Sequence, residues 1–372
     1  MKLRNRSQLS LFEGRRAHPT KRSAVIRAWT GDPVDVDLFA GGGGASDGKR
    51  RATGSSPNIA VDHWGAALAM HKANHPDCEH HREDVYRVKP IVATKGAKVR
   101  FLWASPTCVF FSRASGKRLS KKTIKIRGLA WSIIPWIVQC RPDVIIVENV
   151  VEFLKWGPVC WQHAEGCPGD DDGKDCTKRC SFGRPIRSRE SELFEAWAAR
   201  TRAHGYSFEY RVIKAWEHGA PTTRERVYIA MCANGRPFEW PEATHAPPEL
   251  AESTGKKPWR TAAEIIDWSI PCPSIFDRER PLADKTLARI ARGVRKFVLE
   301  SARPFVIPVN HGGPGRRDHR VHDADQSMPT ITGGQRGGHV GAHDPVGHAG
   351  GLLGGGREEL AAQPGGQSDD RR

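Results

Sequence analysis

The 372-residue chain has no apolar run approaching the ~18 residues that a membrane-spanning helix needs. Its first residues, MKLRNRSQLSLFEGRRAHPTKRS, are basic and lack the apolar centre of a secretion signal. A cytoplasmic, membrane-free protein is therefore expected. Acidic groups are scarce: 42 Asp and Glu stand against 58 Lys and Arg, a formal charge of +16. A basic excess of that size favours a polyanion as partner, and nucleic acid is the usual one. Part of it sits in the leading segment, at Lys2, Arg4, Arg6, Arg15, Arg16, Lys21 and Arg22, where it equally serves a solvated tail. The nine cysteines are odd in number and widely spread, which argues against a disulfide framework. They are left as core filler, metal ligands or a nucleophile. No repeat of solenoid period is present. Hydrophobic residues make up 38% of the chain, enough for a real core with polar tails.

From Val34 onward, strand-like apolar runs alternate with amphipathic stretches. The runs are Val34 to Phe39, Asn58 to Val61, Val99 to Trp103, Val144 to Val147, Glu209 to Ile213 and Arg226 to Met231. Helices are expected over Trp64 to Asn74, Gly128 to Cys140 and Ser191 to His204. That alternation predicts an α/β doubly wound sheet covered on both faces. It fades near Pro241. The organisation reads as a basic tail (1–32), a catalytic domain (33–240) with a Cys-rich insertion (155–189), a recognition region (241–343) and a Gly-rich, disordered tail (344–372). The recognition region carries one good helix, Asp284 to Glu300.

The first strand runs into Asp37-Leu38-Phe39-Ala40-Gly41-Gly42-Gly43-Gly44-Ala45-Ser46. Glycines after a parallel strand let the backbone turn tightly and approach a ligand without a Cβ in the way. The run makes no clean G-x-G-x-x-G, and a plain strand-to-helix turn explains it about as well. Asp62 ends the next strand, at the distance where a carboxylate bonds ribose hydroxyls. Asp84 follows near a third strand, as a cofactor contact or a solvated turn. Cys108, in Ser105-Pro106-Thr107-Cys108, follows the fourth strand, and Glu148-Asn149-Val150 follows the fifth. Both project at the same sheet edge as the glycine turn. A lone cysteine is usually inert, but this one is not in the usual place for core. A carboxylate ending an all-apolar strand is costly unless paired or protonated. The two together suggest a catalytic pair.

Taken in order, Asp37-Leu38-Phe39-Ala40-Gly41-Gly42-Gly43, Pro106-Thr107-Cys108 with Phe111-Ser112, Glu148-Asn149-Val150 and Thr222-Thr223-Arg224-Glu225-Arg226-Val227 resemble the motif set of the DNA (cytosine-5) methyltransferases. The similarity is greatest to the phage and bacterial branch and covers roughly residues 34 to 340. It implies a Rossmann-like, S-adenosylmethionine-dependent methyltransferase sheet with a smaller, irregular target-recognition domain. It implies methyl transfer to C5 of a cytosine flipped out of duplex DNA. Cys108 would attack C6, and Glu148 would contact N3 and the exocyclic amine. Arg224 and Arg226 would favour the thiolate or hold the base. The cofactor would lie against Phe39, Ala40, Gly41, Gly43 and Pro106, with Asp62 on ribose and Asp84 near adenine. A monomer and a companion restriction endonuclease are expected. Thr107 stands where the family usually has a second proline, and Thr222 where glutamine is common. A Gly-Asn-Ala-Val-like closing motif, expected after the recognition region, is not found. An inactive, truncated relic or a need for a partner fragment therefore stays open, as does RNA as substrate. A dehydrogenase reading of the glycine turn leaves Cys108, Glu148 and Arg226 unexplained.

Around Ser327 to Gly338, small residues beside arginines suit close approach to guanine edges, with Arg316, Arg317 and Arg320 on phosphates. A flexible polar loop explains them equally well. The segment from Ser115 to Arg127, with Arg118, Lys121 and Lys122, reads as a lid over the flipped base or as a solvated charge run. Cys160, His163, Cys167, Cys176 and Cys180 fall within 21 residues of low apolar content. Four of them could hold a structural Zn2+; a metal-free loop is the competing reading.

Overall fold

The computed structural model describes residues 31–108, 111, 123–167, 180–267, 279, 281–300, 303–308, 322–328, 340–343 and 352–353. Cys176, the basic positions 118, 121 and 122, the arginines 316, 317 and 320, and nearly all of both tails lie outside them.

One compact unit comprises residues up to 213 together with 225–241. Its seven strands are β1 (Val34–Leu38), β2 (Ile59–Asp62), β3 (Glu79–Arg82), β4 (Val99–Ala104), β5 (Val144–Asn149), β6 (Glu209–Lys214) and β7 (Glu225–Cys232). They form one sheet in the order β3-β2-β1-β4-β5-β7-β6. Pairing is parallel from β3 through β5. β7 then runs antiparallel to β5. The predicted α/β, Rossmann-like sheet is present, with one strand reversed.

Sequence character follows position in the sheet. The central strands VDVDL and VIIVEN are almost wholly buried, as strands covered on both faces must be. The edge strand β3, EHHR, is polar and half-exposed, which protects an edge from further pairing. Helices α1 (Gly44–Thr53), α2 (Gly65–Asn74), α3 (Ile133–Cys140) and α4 (Glu192–Arg202) cover the faces. The helix expected over Gly128 to Cys140 is divided. Leu129–Ser132 is a 3-10 turn, and α3 starts at Ile133. Pro135 falls in the first turn of α3, where a missing N–H costs nothing. Behind the sheet Phe153, Trp156, Phe194 and Trp197 pack ring to ring, with Phe153 and Trp156 stacked at 5.3 Å.

Asp35 is a charge buried in this core. It is 1% exposed and accepts from Arg100 Nη2 at 2.6 Å and Lys49 Nζ at 2.7 Å. Burial alone would raise its pKa, but the hydrogen bonds from Arg100 and Lys49 outweigh it and hold the carboxyl below the usual range. The trio ties α1 to the two central strands.

The second unit comprises 214–224 and 242–372. Here β8 (Phe305–Pro308) lies between β9 (His322–Asp323) and β10 (Val340–His343), all antiparallel, and β11 (Leu352–Leu353) adds to β10. Ala262, Ile266, Val306, Ala324 and Met328 form a small core. Thr222 bridges Met328, and Thr223 N–H donates to the Met328 carbonyl at 2.7 Å. The expected helix after Asp284 is α-helical to Val294 and continues as a π-turn over Arg295–Leu299. Among the described residues no helix is long and apolar enough to cross a membrane.

Replacing Asp35 by Asn leaves Lys49 a poorly solvated cation without its counter-charge. Equilibrium denaturation should show a loss of about 3 kcal/mol at neutral pH. Because the carboxyl pKa is depressed on folding, this contribution is present above about pH 4 and disappears as pH falls through the folded value. The difference between the two proteins should therefore narrow in acid.

Candidate active site

Four parallel strands, β2, β1, β4 and β5, deliver their carboxyl ends to one edge. β7 runs the other way, so its first residues arrive at that same edge. The register pairs Glu148 with Tyr228 and Asn149 with Val227. Arg226 is therefore the diagonal neighbour of Glu148 on the same face, within reach of a long side chain. Arg226 Nε lies 3.0 Å from Glu148 Oε1, with each side chain 16% exposed. Shielded to that degree, the pair interacts more strongly than a surface ion pair. Arg226 Nη1 also donates to the Glu225 carbonyl at 2.7 Å. Arg224 belongs to the 214–224 segment of the second unit; its carbonyl accepts from Ala215 N–H at 2.8 Å.

The loop after β4 is fastened from both sides. Ser105 N–H donates to the Leu38 carbonyl at 3.2 Å, and Trp103 Nε1 donates to Ser105 Oγ at 2.7 Å. Asn149, 2% exposed, donates from Nδ2 to the Pro106 carbonyl at 2.9 Å and accepts from Val150 N–H at 2.9 Å. Pro106 is buried beside Ala104, while Thr107 and Cys108 are half-exposed. The Cys108 carbonyl accepts from Phe111 N–H at 2.9 Å. Phe111 packs edge-on to Phe153 at 5.1 Å, and the Arg127 guanidinium lies 5.0 Å above its ring. Cys108 thus rides on a short turn anchored to two strands and to the aromatic core. Asn149 is the residue whose role was missed in the sequence: it sits within a motif already singled out, but its bond to Pro106 spans 43 positions.

The glycine turn has Phe39, Gly41 and Gly43 at φ of 61°, 54° and 97°. Gly41 N–H donates to Asp62 Oδ2 at 2.9 Å, and Trp64 N–H to Oδ1 at 2.7 Å. Both oxygens of Asp62 thereby hold backbone at this edge. A Cβ at Gly42 would lie 1.9 Å from Met70 Cε, and one at Gly43 2.9 Å from the His75 ring, so this side of the turn is filled by α2 and the residues after it. A Cβ at Gly44 would meet nothing within 4 Å, and at Gly41 only the Phe39 carbonyl at 4.0 Å. That side is open to a ligand, and the turn fits a cofactor approaching its backbone. Ala40 is buried behind it. Asp84 is exposed and accepts from Tyr86 N–H at 3.0 Å, an Asx-type turn. Trp64, 65% exposed and two residues beyond Asp62, adds an aromatic surface not assigned from the sequence.

Of the five metal-ligand candidates, His163, Cys167 and Cys180 place their ligand atoms within 4.8 Å of one another. Cys160 is not in that group; its thiol contacts the Gln162 carbonyl at 3.4 Å. The chain enters and leaves here through a narrow neck. Cys160 N–H donates to the Arg184 carbonyl at 2.9 Å, Gly183 N–H to the Cys160 carbonyl at 2.8 Å, and Ile186 N–H to the Pro158 carbonyl at 3.0 Å.

The family model for C-5 cytosine-specific DNA methylases matches residues 34–157 and 186–266, and passes over the stretch closed by this neck. The Type II methyltransferase M.AquIA of Picosynechococcus sp. is 26% identical over 242 residues, spanning 62% of this chain and 86% of that protein. The Type II methyltransferase M.AgeI of Thalassovita gelatinovora is 26% identical over 215 residues, 56% of this chain and 42% of that one. Among solved structures, an Escherichia coli prophage protein described as a DNA modification methyltransferase has 16% identity and a TM-score of 0.47, covering 81% of this chain and 82% of its own.

The glycine turn allows a paired test. Gly43→Ala forces a Cβ onto the His75 ring at a left-handed φ and should cost about 1–3 kcal/mol. Gly44→Ala enters open space at a helix start and should change stability by less than about 0.5 kcal/mol. Thermal melting of the two variants reads the difference.

Proposed function

We propose, from the premise that the chain belongs to the C-5 cytosine-specific DNA methylase family, that it transfers a methyl group from S-adenosylmethionine to C5 of a cytosine flipped out of duplex DNA. The observation that carries this is the Glu148–Arg226 pair at the sheet edge that also bears the fastened Cys108 turn. The base inside a duplex is out of reach of any such edge, so extrusion into the site precedes chemistry.

Each residue then has a task. Cys108, as thiolate, forms a bond to C6 of the ring. The C5–C6 π electrons move toward C5 and make it nucleophilic. Glu148 contacts N3 and the exocyclic amine and shares a proton with the ring as negative charge develops there. Arg226 fixes one Glu148 oxygen and so aims the carboxyl at the base. C5 then bonds to the electrophilic methyl group that S-adenosylmethionine would supply, as the methyl–sulfonium bond breaks and S-adenosylhomocysteine leaves. Loss of the C5 proton then restores the double bond and expels the Cys108 sulfur. Phe39, Ala40, Gly41, Gly43 and Pro106 would hold the cofactor, with Asp62 on its ribose and Asp84 near its adenine. Asp62 also shapes the pocket through Gly41. Arg224 and the net charge of +16 act on the DNA backbone. The region from 241 to 343 reads the target sequence.

The Cys-rich insertion holds a structural Zn2+ through His163, Cys167 and Cys180, with Cys160 or Cys176 as the fourth ligand. Convergence of three ligand atoms within 4.8 Å supports this.

The purified chain should move labelled methyl from S-adenosylmethionine to duplex DNA, and Cys108→Ala should abolish transfer. Excess RNA should not compete. A folded parent that binds DNA and transfers nothing would instead mark a relic. Arg226→Gln should lower kcat by about 10²-fold through misplacement of Glu148, with a smaller change in DNA binding.

A further inference from the structure

A second group of ligating side chains lies behind the glycine turn, on the face covered by α2. His71 lies in the last turn of α2, His75 caps its end, Cys78 follows in the connection, and His80 is on β3. The spacing is H-x3-H-x2-C-x-H. The ligand atoms of His71, Cys78 and His80 all fall within 4.8 Å of one another. His71 and Cys78 are buried, and His80 is half-buried. None of them has a part in the methyl transfer described above.

The hydrogen bonds around the group orient it. Ser46 Oγ lies 2.6 Å from Asp37 Oδ2 and 2.9 Å from His71 Nε2. The Ser46 hydroxyl has a single proton, which it donates to Asp37 Oδ2, so it accepts from His71 Nε2–H. That fixes the His71 tautomer. Its Nδ1 carries the lone pair, and this atom faces His80 Nε2 at 2.9 Å. A carboxylate acting through a hydroxyl on the far nitrogen is how outer groups hold a metal-binding imidazole. His75 is engaged elsewhere: Nδ1 lies 2.8 Å from Ser56 Oγ and Nε2 3.3 Å from the Gly43 carbonyl.

We propose that His71 Nδ1, His80 Nε2 and Cys78 Sγ bind a Zn2+ ion, with water in the fourth position. Two imidazoles and a thiolate suit this borderline ion and are a poor match for Mg2+ or Ca2+, which take oxygen. On binding, the His80 proton moves from Nε2 to Nδ1, and the Cys78 thiol releases its proton to solvent and forms the sulfur–zinc bond. Two nitrogens at about 2.0–2.1 Å on a tetrahedral ion stand roughly 3.3 Å apart, so the imidazoles part by a few tenths of an ångström. The ion joins α2 to β3, and through Ser46 and Asp37 it braces the glycine turn. The site is separate from the cluster of the Cys-rich insertion and does not depend on the function proposed above.

Zinc retained by the full chain after dialysis, counted by elemental mass spectrometry, tests the proposal. His80→Gln alters a half-buried residue on an edge strand and should leave folding intact. It should remove one zinc equivalent, and the same loss should occur in a Cys180→Ser background, where the insertion's own site is disabled. A second measurement avoids reliance on that variant: in the cobalt(II)-loaded chain, Cys78→Ser should diminish the thiolate-to-cobalt charge-transfer absorbance. Zinc content unaffected by His80→Gln, including none bound in either protein, overturns the proposal. So does cobalt absorbance unaffected by Cys78→Ser.

Discussion

The reversed strand β7 is the constraint on which the active-site edge depends. In an all-parallel sheet, only strand ends that point one way reach the ligand edge. A strand inserted antiparallel beside β5 brings its beginning there instead, and with it Arg226. Its register is set by packing. Val227, Ile229 and Met231 are fully buried, each contributing roughly 1.5–3 kcal/mol. A slip of one position would turn all three toward the opposite face and carry Arg226 away from Glu148. The position of Arg226 beside Glu148 is thus fixed by apolar residues of the strand interior.

The polar groups at this edge serve two purposes at once. Asn149 ends β5 and anchors the Cys108 turn through Pro106. Asp62 ends β2 and holds both Gly41 and Trp64 by their N–H groups. Deeper, Asp37 is buried with Ser46 as its donor, and burial pushes its pKa up to about 7. Such groups are costly in a core and are tolerated where they are tied to a partner, as Asp37 is through Oδ2. The Ser105 N–H bond to the Leu38 carbonyl links the Cys108 turn to the strand that leads into the glycine turn.

Much of the sheet was legible in the sequence because central strands of a doubly wound fold are continuous apolar runs. Cys108 and Glu148 could be placed at one edge for the same reason, since strand ends are marked by the first polar residue after each run. The direction of β7 was not legible: a buried strand reads alike in either orientation. The division of the helix before Cys140 was hidden in an apolar stretch without a break, apart from Pro135. Contacts such as Asn149 with Pro106, or Ser46 with His71, join residues 43 and 25 positions apart, and local pattern carries no trace of them. The polar strand β3 lacked any apolar signature; its place is set by pairing with β2. Among the described residues, three of the four candidates in the Cys-rich insertion converge, a selection that spacing alone did not make.

The central claim is that Cys108 attacks C6 while Glu148, oriented by Arg226, holds the base. Duplex DNA carrying 5-fluorocytosine in place of cytosine tests it most directly, because fluorine at C5 blocks the final elimination and leaves the adduct intact. Incubated with S-adenosylmethionine and this DNA, the chain should yield a denaturant-stable complex whose cross-linked peptide contains Cys108. Glu148→Gln should slow its formation strongly. A cross-link through any other cysteine, or no complex from a folded protein that binds the DNA, would contradict the account.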